Sequence, residues 1–389
     1  MATNRAPAEA GADQLLSSIA TRRGHSVPEE FAQALATVPR HLFLPDQLWL
    51  RDGNGGHQLC DHALDPERWW EAAYSDASLV TRFATASDGT REPSSSASAP
   101  STVIRLLQDA QLTYGQRTLE IGTGTGFNTA LLSALLGSAA VTSIEVDPQL
   151  AAQARENLQA ASFEPTVVCA DGTDGWAPGA PYDRILATCS VRTVPPAWLA
   201  QTRPGGLIVT PWDSAWSCYG TLILTKHADG QATGRFAAHG SYMLISSQRT
   251  DVELFRDILR AGQEPERRTT TLSPWAVAGK SLDLEFHLGL TVPGAWYSWD
   301  TEPKDGVRTK LWLADDKATS WASVGYDGQQ TATFQVAQYG PRRLWDETET
   351  AHHLWLSAGK PTVDRYSMTI APDGRATPWL DTPRAPLHG

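Results

Sequence analysis

The sequence predicts an α/β protein: a Rossmann-like parallel sheet with helices on both faces, preceded by a helical segment and followed by an α+β domain. Three observations predict it. A glycine-rich turn, Gly122-Thr-Gly-Thr-Gly126, joins a short apolar run to a helical one. From residue 117 to residue 210, apolar runs of strand length alternate with stretches of helical spacing, as buried parallel strands and their crossovers do. After Gly220 the runs alternate apolar and polar instead, and ten of the fifteen tryptophans fall from Trp212 onward.

At 389 residues the chain has room for two domains, and 41% hydrophobic residues suffice for ordinary cores. The formal charge of -11 argues against a broad nucleic-acid footprint. The four cysteines, Cys60, Cys169, Cys189 and Cys218, are widely spaced, which fits neither a zinc site nor a disulfide framework. The histidines are scattered, with His57 and His62 in an expected loop, so no metal site is expected. No apolar run approaches the ~20 residues that span a bilayer. The expectation is a soluble cytoplasmic protein with no nucleic-acid or membrane partner; the oligomeric state stays open.

In chain order, residues 1–12 read as disordered. Asp13 to Arg23 has helical spacing, and Pro28 opens a second helix with Phe31, Leu35 and Val38 on one face. Residues 51–62 are rich in Gly, Asn and His and read as a loop. Glu67 to Ala73 is a short helix, and Ser78 to Phe83 is extended. On composition alone, the serine run in 85–101 is a flexible linker. Ser98 or Ser101 then caps a helix that buries Val103, Leu106, Leu107 and Ala110. Strands are expected at Arg117–Gly122, Ala140–Val146, Thr166–Ala170, Asp183–Cys189 and through Thr210. Helices are expected at Thr125–Leu136, Pro148–Leu158 and Pro195–Gln201. Beyond them, Thr221–Thr225, Arg235–Ile245, Leu282–Leu288, Thr309–Leu313, Ser320–Gly325 and Thr331–Gln338 read as strands. Asp251–Ala261 and Glu347–Ser357 read as helices, and Pro372-Asp-Gly374 as a hairpin turn. The domain division is 1–95, a helical and loop segment packing on the catalytic domain; 96–245, the catalytic domain; and 246–389, an α+β domain.

Ligands of such sheets bind at the carboxyl ends of the strands. Three acids stand there on consecutive strands: Glu120, Glu145 and Asp171. The G-x-G-x-G spacing is not the pyrophosphate-binding G-x-G-x-x-G, and Glu120 beside it would repel a phosphate. It would attract an ammonium. A carboxylate after the second strand can accept from two ribose hydroxyls, and one after the third from an exocyclic amine. A Gly-rich turn with no ligand explains the loop alone; the three acids together point to S-adenosylmethionine.

Residues from about 28 to 245 resemble the protein-L-isoaspartate O-methyltransferases. The segments that carry the resemblance are Val38-Pro-Arg-His-Leu-Phe-Leu-Pro45, Tyr74-Ser-Asp76, Ser96-Ala-Ser-Ala-Pro100, Leu119 to Gly126, Pro181-Tyr-Asp-Arg-Ile185 and Pro204-Gly-Gly206. The resemblance implies an S-adenosylmethionine-dependent methyltransferase fold, and it replaces the linker reading of the serine run. It implies that Ser98 meets the acceptor carboxylate and that Ser96 lies beside the cofactor. Tyr74 and Asp76 join them as catalytic candidates. The implied cofactor residues are Ser96, Glu120, Ile121, Gly122, Thr123, Gly124, Gly126, Glu145, Val146, Asp171, Gly172 and Thr188. Two segments depart from the family. The stretch from Tyr74 to Ser94 lacks the usual Pro-Ile-Gly, and Thr188-Cys-Ser-Val191 follows the fourth strand.

The tail, with Trp345-Asp-Glu, Leu354-Trp355, Gly359-Lys-Pro361, Pro372-Asp-Gly374 and Trp379-Leu-Asp381, resembles the extension of methyltransferases that modify ribosomally made peptides, those paired with ATP-grasp macrocyclases. The preferred expectation is therefore methylation of an aspartate in a precursor peptide, held partly by the C-terminal domain, with succinimide formation afterwards. Isoaspartate repair is the alternative. A catalytically inactive peptide-binding scaffold, and a methyltransferase for RNA or a small metabolite, are the rivals.

Overall fold

The computed structural model describes residues 5–53, 55–85, 89–301, 307–329, 331–383 and 387. The chain forms two compact units. The first comprises Met1–Cys189, Pro195–Val209 and Thr225–Gly230; the second comprises Ser190–Val194, Thr210–Leu224 and Gln231–Gly389. The expected boundary after residue 245 therefore falls inside the second unit.

The first unit opens with helices α1 (Arg5–Arg23) and α2 (Glu29–Thr37), so a helix already runs through residues expected to be disordered. Strands β1 (Gln47–Arg51) and β2 (His57–Asp61) form a hairpin where a loop was expected. Asp52 closes its turn by accepting the Gly56 N–H at 2.9 Å. Helix α3 (Pro66–Ala73) starts under an Asp65 cap, as Pro at the first turn favours. Strands β3 (Leu79–Thr85) and β4 (Arg91–Ala97) complete an antiparallel sheet in the order β2-β1-β3-β4. The serine run is thus an edge strand rather than a linker. Helix α4 (Pro100–Asp109) follows with Ala99 at its N-cap, so neither Ser98 nor Ser101 caps it.

The parallel sheet of this unit contains β5 (Thr118–Ile121), β6 (Val141–Glu145), β7 (Thr166–Cys169), β8 (Tyr182–Ala187) and β9 (Thr202–Pro211). Its order is β7-β6-β5-β8-β9, so the chain reverses direction on either side of β5. Such a switch point leaves a crevice at the strand ends. All four residues of β5 are buried, as a central strand covered on both faces requires. Helices α5 (Phe127–Leu136), α6 (Pro148–Ala160) and α7 (Pro196–Gln201) provide the crossovers. Asp147 caps α6 by accepting the Gln149 and Leu150 N–H groups, with Pro148 at the first turn.

In the second unit, β10 (Thr221–Lys226) and β11 (Ala232–Ala237) lie beside the C-terminal hairpin. The strand expected to reach Ile245 stops at Ala237. A second sheet is wholly antiparallel, in the order β12-β16-β15-β14-β13. Its strands are β12 (Glu266–Thr270), β13 (Ala295–Asp300), β14 (Thr309–Asp315), β15 (Trp321–Tyr326) and β16 (Phe334–Tyr339). Short α8 (Pro274–Val277) precedes α9 (Leu282–Thr291), and α10 (Leu344–Ser357) leads to the hairpin β17 (Tyr366–Ile370) and β18 (Ala376–Leu380). Leu282–Leu288, expected as a strand, is helical, with the Ser281 hydroxyl accepting the Leu284 N–H. Asp251–Ala261, expected as a helix, holds only a π turn at Leu254–Ile258.

Both faces of the second unit's antiparallel sheet are covered. Trp216, Trp345 and Trp355 pack with Leu311, Leu313 and Val324 on one side. Trp312 and Trp321 pack with Leu254 and Ile258 on the other. Most of the tryptophan excess therefore builds a core, which is the commoner use of so large an apolar side chain.

Candidate functional site

The glycine loop leaves β5 at Ile121 and enters α5 at Phe127. Gly122, Gly124 and Gly126 have φ of 95°, 55° and 94°, a region that residues with a Cβ seldom occupy. A Cβ on Gly122 would stand 2.7 Å from the Thr188 Oγ1, whereas one on Gly124 would meet nothing within 4 Å. The loop therefore packs on its Thr188 side and is open at Gly124. It is tied down by the Gly122 and Thr123 N–H groups, which donate to the Ile144 carbonyl at 2.9 and 3.1 Å. Thr188 adds a hydroxyl donated to the Gly122 carbonyl.

The three strand-end acids do different things. Glu120 is fully buried and accepts from Asn128 Nδ2, Thr129 Oγ1 and Ser143 Oγ. Burial pushes its carboxyl up to about 7, although those three hydrogen bonds oppose the rise. The expectation that Glu120 presents a charge to a bound ammonium is corrected: it sits beneath the loop as a brace between β5, α5 and β6. Glu145 is buried at 8% exposure and accepts the Gly124 N–H at 2.8 Å and the Asp147 N–H at 3.1 Å. Burial raises its carboxyl as well. Asp171 accepts the N–H and hydroxyl of Thr173 through Oδ1. Beside them Val146 is 52% exposed, an apolar side chain turned to solvent at a strand end. Gly172 is buried, and its carbonyl accepts from Trp198 Nε1 at 2.8 Å.

This donor set fits S-adenosylmethionine. The two oxygens of Glu145 together keep lone-pair capacity beyond their backbone contacts. Asp171, the apolar Val146 surface and the open face at Gly124 stand on the same loop cluster at the ends of β5, β6 and β7. Among the described residues there is no grouping of His, Cys, Asp and Glu suited to a metal ion.

The acceptor candidates come from β4 and its exit. β3 and β4 lose register between Val80 and Arg82 and again between Arg82 and Phe83. Such bulges re-aim side chains at an edge. Ser96 pairs with Val80. Ser96 and Ser98 are half-buried, and among the described residues neither hydroxyl has a hydrogen-bond partner. The hairpin is held to the start of α6 by Arg82, which donates to Asp147 Oδ2 at 2.7 Å and to Gln149 Oε1 at 3.0 Å. Asp76 accepts the Ser101 N–H at 2.8 Å through Oδ1, and its Oδ2 lies 3.3 Å from Arg22 Nε, so it anchors the chain after Ser98 and forms an ion pair with α1. Tyr74 is buried, with its hydroxyl 2.7 Å from His41 Nδ1 and its ring stacked on Trp70. Burial lifts its phenol to about 12. These contacts make Tyr74 a packing residue rather than a reacting group.

One residue of this region was quoted only as part of a motif. Arg40, from Val38-Pro-Arg40, is 1% exposed and donates to four backbone carbonyls, that of Ser98 among them. Its signal was present in the sequence as an arginine inside an apolar segment. In the second segment that departs from the family, Ser190 is buried with its hydroxyl on the Tyr242 carbonyl at 3.0 Å.

Residues 63–250 match the family model described as protein-L-isoaspartate(D-aspartate) O-methyltransferase. A protein-L-isoaspartate O-methyltransferase of Ignicoccus hospitalis is 33% identical over 190 residues, 48% of this chain and 75% of that relative. A protein-L-isoaspartate O-methyltransferase 1 of an Anaeromyxobacter species is 36% identical over 200 residues, 51% of this chain and 79% of that relative. A solved protein-L-isoaspartate O-methyltransferase superposes with a TM-score of 0.53 at 20% identity, covering 95% of this chain and all of that one; at that identity the likeness is one of fold. The family match, 63–250, takes in the glycine loop, the strand-end acids and the serine segment together. The chain belongs to the protein-L-isoaspartate O-methyltransferase family, whose members are S-adenosylmethionine-dependent carboxyl O-methyltransferases.

Proposed function

We propose that this chain methylates the free carboxylate of an isoaspartyl residue in a peptide or protein. The observation that carries the proposal is the Ser98 hydroxyl, without a hydrogen-bond partner among the described residues, at the entrance to α4 and one bulged hairpin away from the cofactor cluster. Bound S-adenosylmethionine supplies an electrophilic methyl group on a sulfonium. The chain's own task is alignment. An acceptor carboxylate has a pKa near ~4 and is ionised at neutral pH, so no base is needed. Ser98 donates to one carboxylate oxygen and orients the other, with reacting atoms ~3–3.5 Å apart along the attack line. The nearby N-terminus of α4 favours the negative charge. Glu145, Val146, Asp171 and the Gly124 face hold the cofactor, and Ser96 borders it. The ester then leaves the site. The following backbone nitrogen attacks its carbonyl, a C–N bond forms, methanol departs, and a five-membered succinimide results.

A second reading keeps the chemistry and changes the acceptor to an ordinary aspartate in a ribosomally made, macrocyclised peptide. It draws on residues 251–389, which lie outside the family match. There Trp275 and Trp299 stack half-buried with centroids 5.8 Å apart, beside Tyr326. The isoaspartyl reading is preferred because the named relatives act, by name, on L-isoaspartate. The test is a competition between an isoaspartyl peptide and its aspartyl twin, linear and cyclic, followed by mass for methyl gain and then water loss. Methylation confined to the aspartyl cycle would transfer the proposal to the second reading, and methylation of neither would overturn both. Ser98→Ala should lower turnover while leaving S-adenosylmethionine affinity nearly unchanged.

A further inference from the structure

We propose that Arg40 is a positioning residue for methyl transfer: its guanidinium sets the Ser98 backbone, and so the Ser98 hydroxyl, relative to the glycine loop. The role rests on the proposed use of Ser98. Arg40 lies in the turn Arg40–Phe43 that follows α2. Nη1 donates to the carbonyls of Ala73 and Ser75 at 3.1 and 2.7 Å, and Nη2 to those of Ala77 and Ser98 at 3.0 and 3.1 Å. The first three carbonyls alternate along one stretch, and the fourth belongs to the acceptor segment. Only a planar fork can reach all four; an ammonium has three donors radiating from one point. Burial lowers the guanidinium to about 10, which still leaves it charged at neutral pH.

The acceptor segment is thereby held at two points from the same stretch. Arg40 takes the Ser98 carbonyl, and Asp76, between Ser75 and Ala77, takes the Ser101 N–H at 2.8 Å. Fixing the carbonyl fixes the peptide plane after Ser98, and with it the direction of its Cα–Cβ bond. The other side of Arg40 faces the cofactor end: its guanidinium carbon lies 5.8 Å from the ring centre of Phe127, the residue after Gly126. One side chain therefore contacts both the acceptor segment and the helix that leaves the glycine loop. It reaches neither reacting group, so its effect must pass through placement. The stretch around Tyr74-Ser-Asp76 finds its purpose here too: the Ala73, Ser75 and Ala77 carbonyls receive Arg40, and the Asp76 carboxylate receives the Ser101 N–H.

The experiment compares Arg40→Lys with Leu48→Ala, a substitution at a fully buried β1 residue outside this network. Measured for each are kcat and KM with an isoaspartyl peptide, S-adenosylmethionine affinity by calorimetry, and thermal unfolding. Arg40→Lys is expected to lose about 100-fold in kcat, the scale of a displacement near 1 Å, with cofactor affinity little changed. Leu48→Ala is expected to keep its kcat despite a comparable loss of melting temperature. Unchanged kcat in Arg40→Lys, or kcat losses that track melting temperature in both variants, would overturn the role. If Arg40→Lys does not fold, Asp76→Ala releases the same segment at Ser101 and must show the same split; full kcat there would overturn it as well. Wild-type protein that methylates neither isoaspartyl nor aspartyl peptides would remove the proposed function, and the positioning role with it.

Discussion

Replacing Glu120 by glutamine separates a brace from a ligand partner. Glu120 is 0% exposed and its carboxyl is raised from 4.5 to about 7 by burial. Between those two values the folded chain keeps a proton on Glu120 that the unfolded chain has released. The native state then binds more protons, so stability falls as pH rises, by about 1.4 kcal/mol per pH unit for one group. The interval, about 7 minus 4.5, gives about 3 kcal/mol in all. The full stability is present below pH 4.5 and is lost as pH passes about 7. Glutamine does not ionise, and the hydroxyls of Thr129 and Ser143 can rotate to accept from its amide. The stability difference between wild type and Glu120→Gln should therefore shift by about 3 kcal/mol in the variant's favour from about pH 4.5 to about pH 8. Urea unfolding at a series of pH values, followed by tryptophan fluorescence, measures it. Parallel curves for the two proteins would refute the reasoning, because they would mean that Glu120 is already ionised in the fold. A brace also predicts that the variant still binds S-adenosylmethionine; loss of binding with an intact fold would restore Glu120 as a direct partner.

Gly124→Ala places a Cβ in the open space above the loop at φ 55°. The strain is about 1–2 kcal/mol, and S-adenosylmethionine affinity by calorimetry should weaken at least about tenfold. Arg82→Ala breaks a half-exposed ion pair with Asp147, so unfolding should change by no more than about 1 kcal/mol. Turnover should nevertheless fall, because the hairpin carrying Ser96 loses its tie to α6; unchanged kcat would show that the tie is dispensable. Trp345→Ala empties a site that is 0% exposed in the second unit, and chemical denaturation should show a loss of about 3–5 kcal/mol.

The catalytic sheet was readable because each of its signals is local. The strands β5, β6 and β8 are largely buried, so short apolar stretches such as Ile185-Leu-Ala187 stand between recognisable helical stretches, even though Glu120, Ser143 and Arg184 interrupt them. Asp147-Pro148 and the three glycines mark their neighbours by caps and by positive φ. The unreadable parts depend on distant partners. β2 is mostly polar, with Cys60 alone buried, and only its pairing with β1 makes it a strand. β4 is three serines and a proline among charged residues, held by register with β3 and by Arg82. α9 misread as a strand because apolar residues nearly surround it: Leu284, Phe286, Leu288 and Leu290 are all buried, and their spacing of two imitates a strand.

The same distinction explains why the site residues were found more readily than their roles. Residue type and strand position identify an acid such as Glu120, but its role depends on what stands opposite each carboxylate oxygen. Asn128 and Thr129 on α5, with Ser143 on β6, place three donors there, and these residues look unremarkable one at a time. Asp76 is the mirror case. As an isolated acid before a serine segment it resembles a reacting group, yet the Ser101 N–H makes it an anchor. Glu145 lies between them: it accepts from the Gly124 N–H with one oxygen and from the Asp147 N–H with the other, and the two together keep further capacity. It therefore joins the loop that shapes the cofactor end to the cap of the helix that holds Arg82 and the serine hairpin. A change at Glu145 should disturb donor and acceptor sides together, whereas Ser98 and Gly124 should each disturb one.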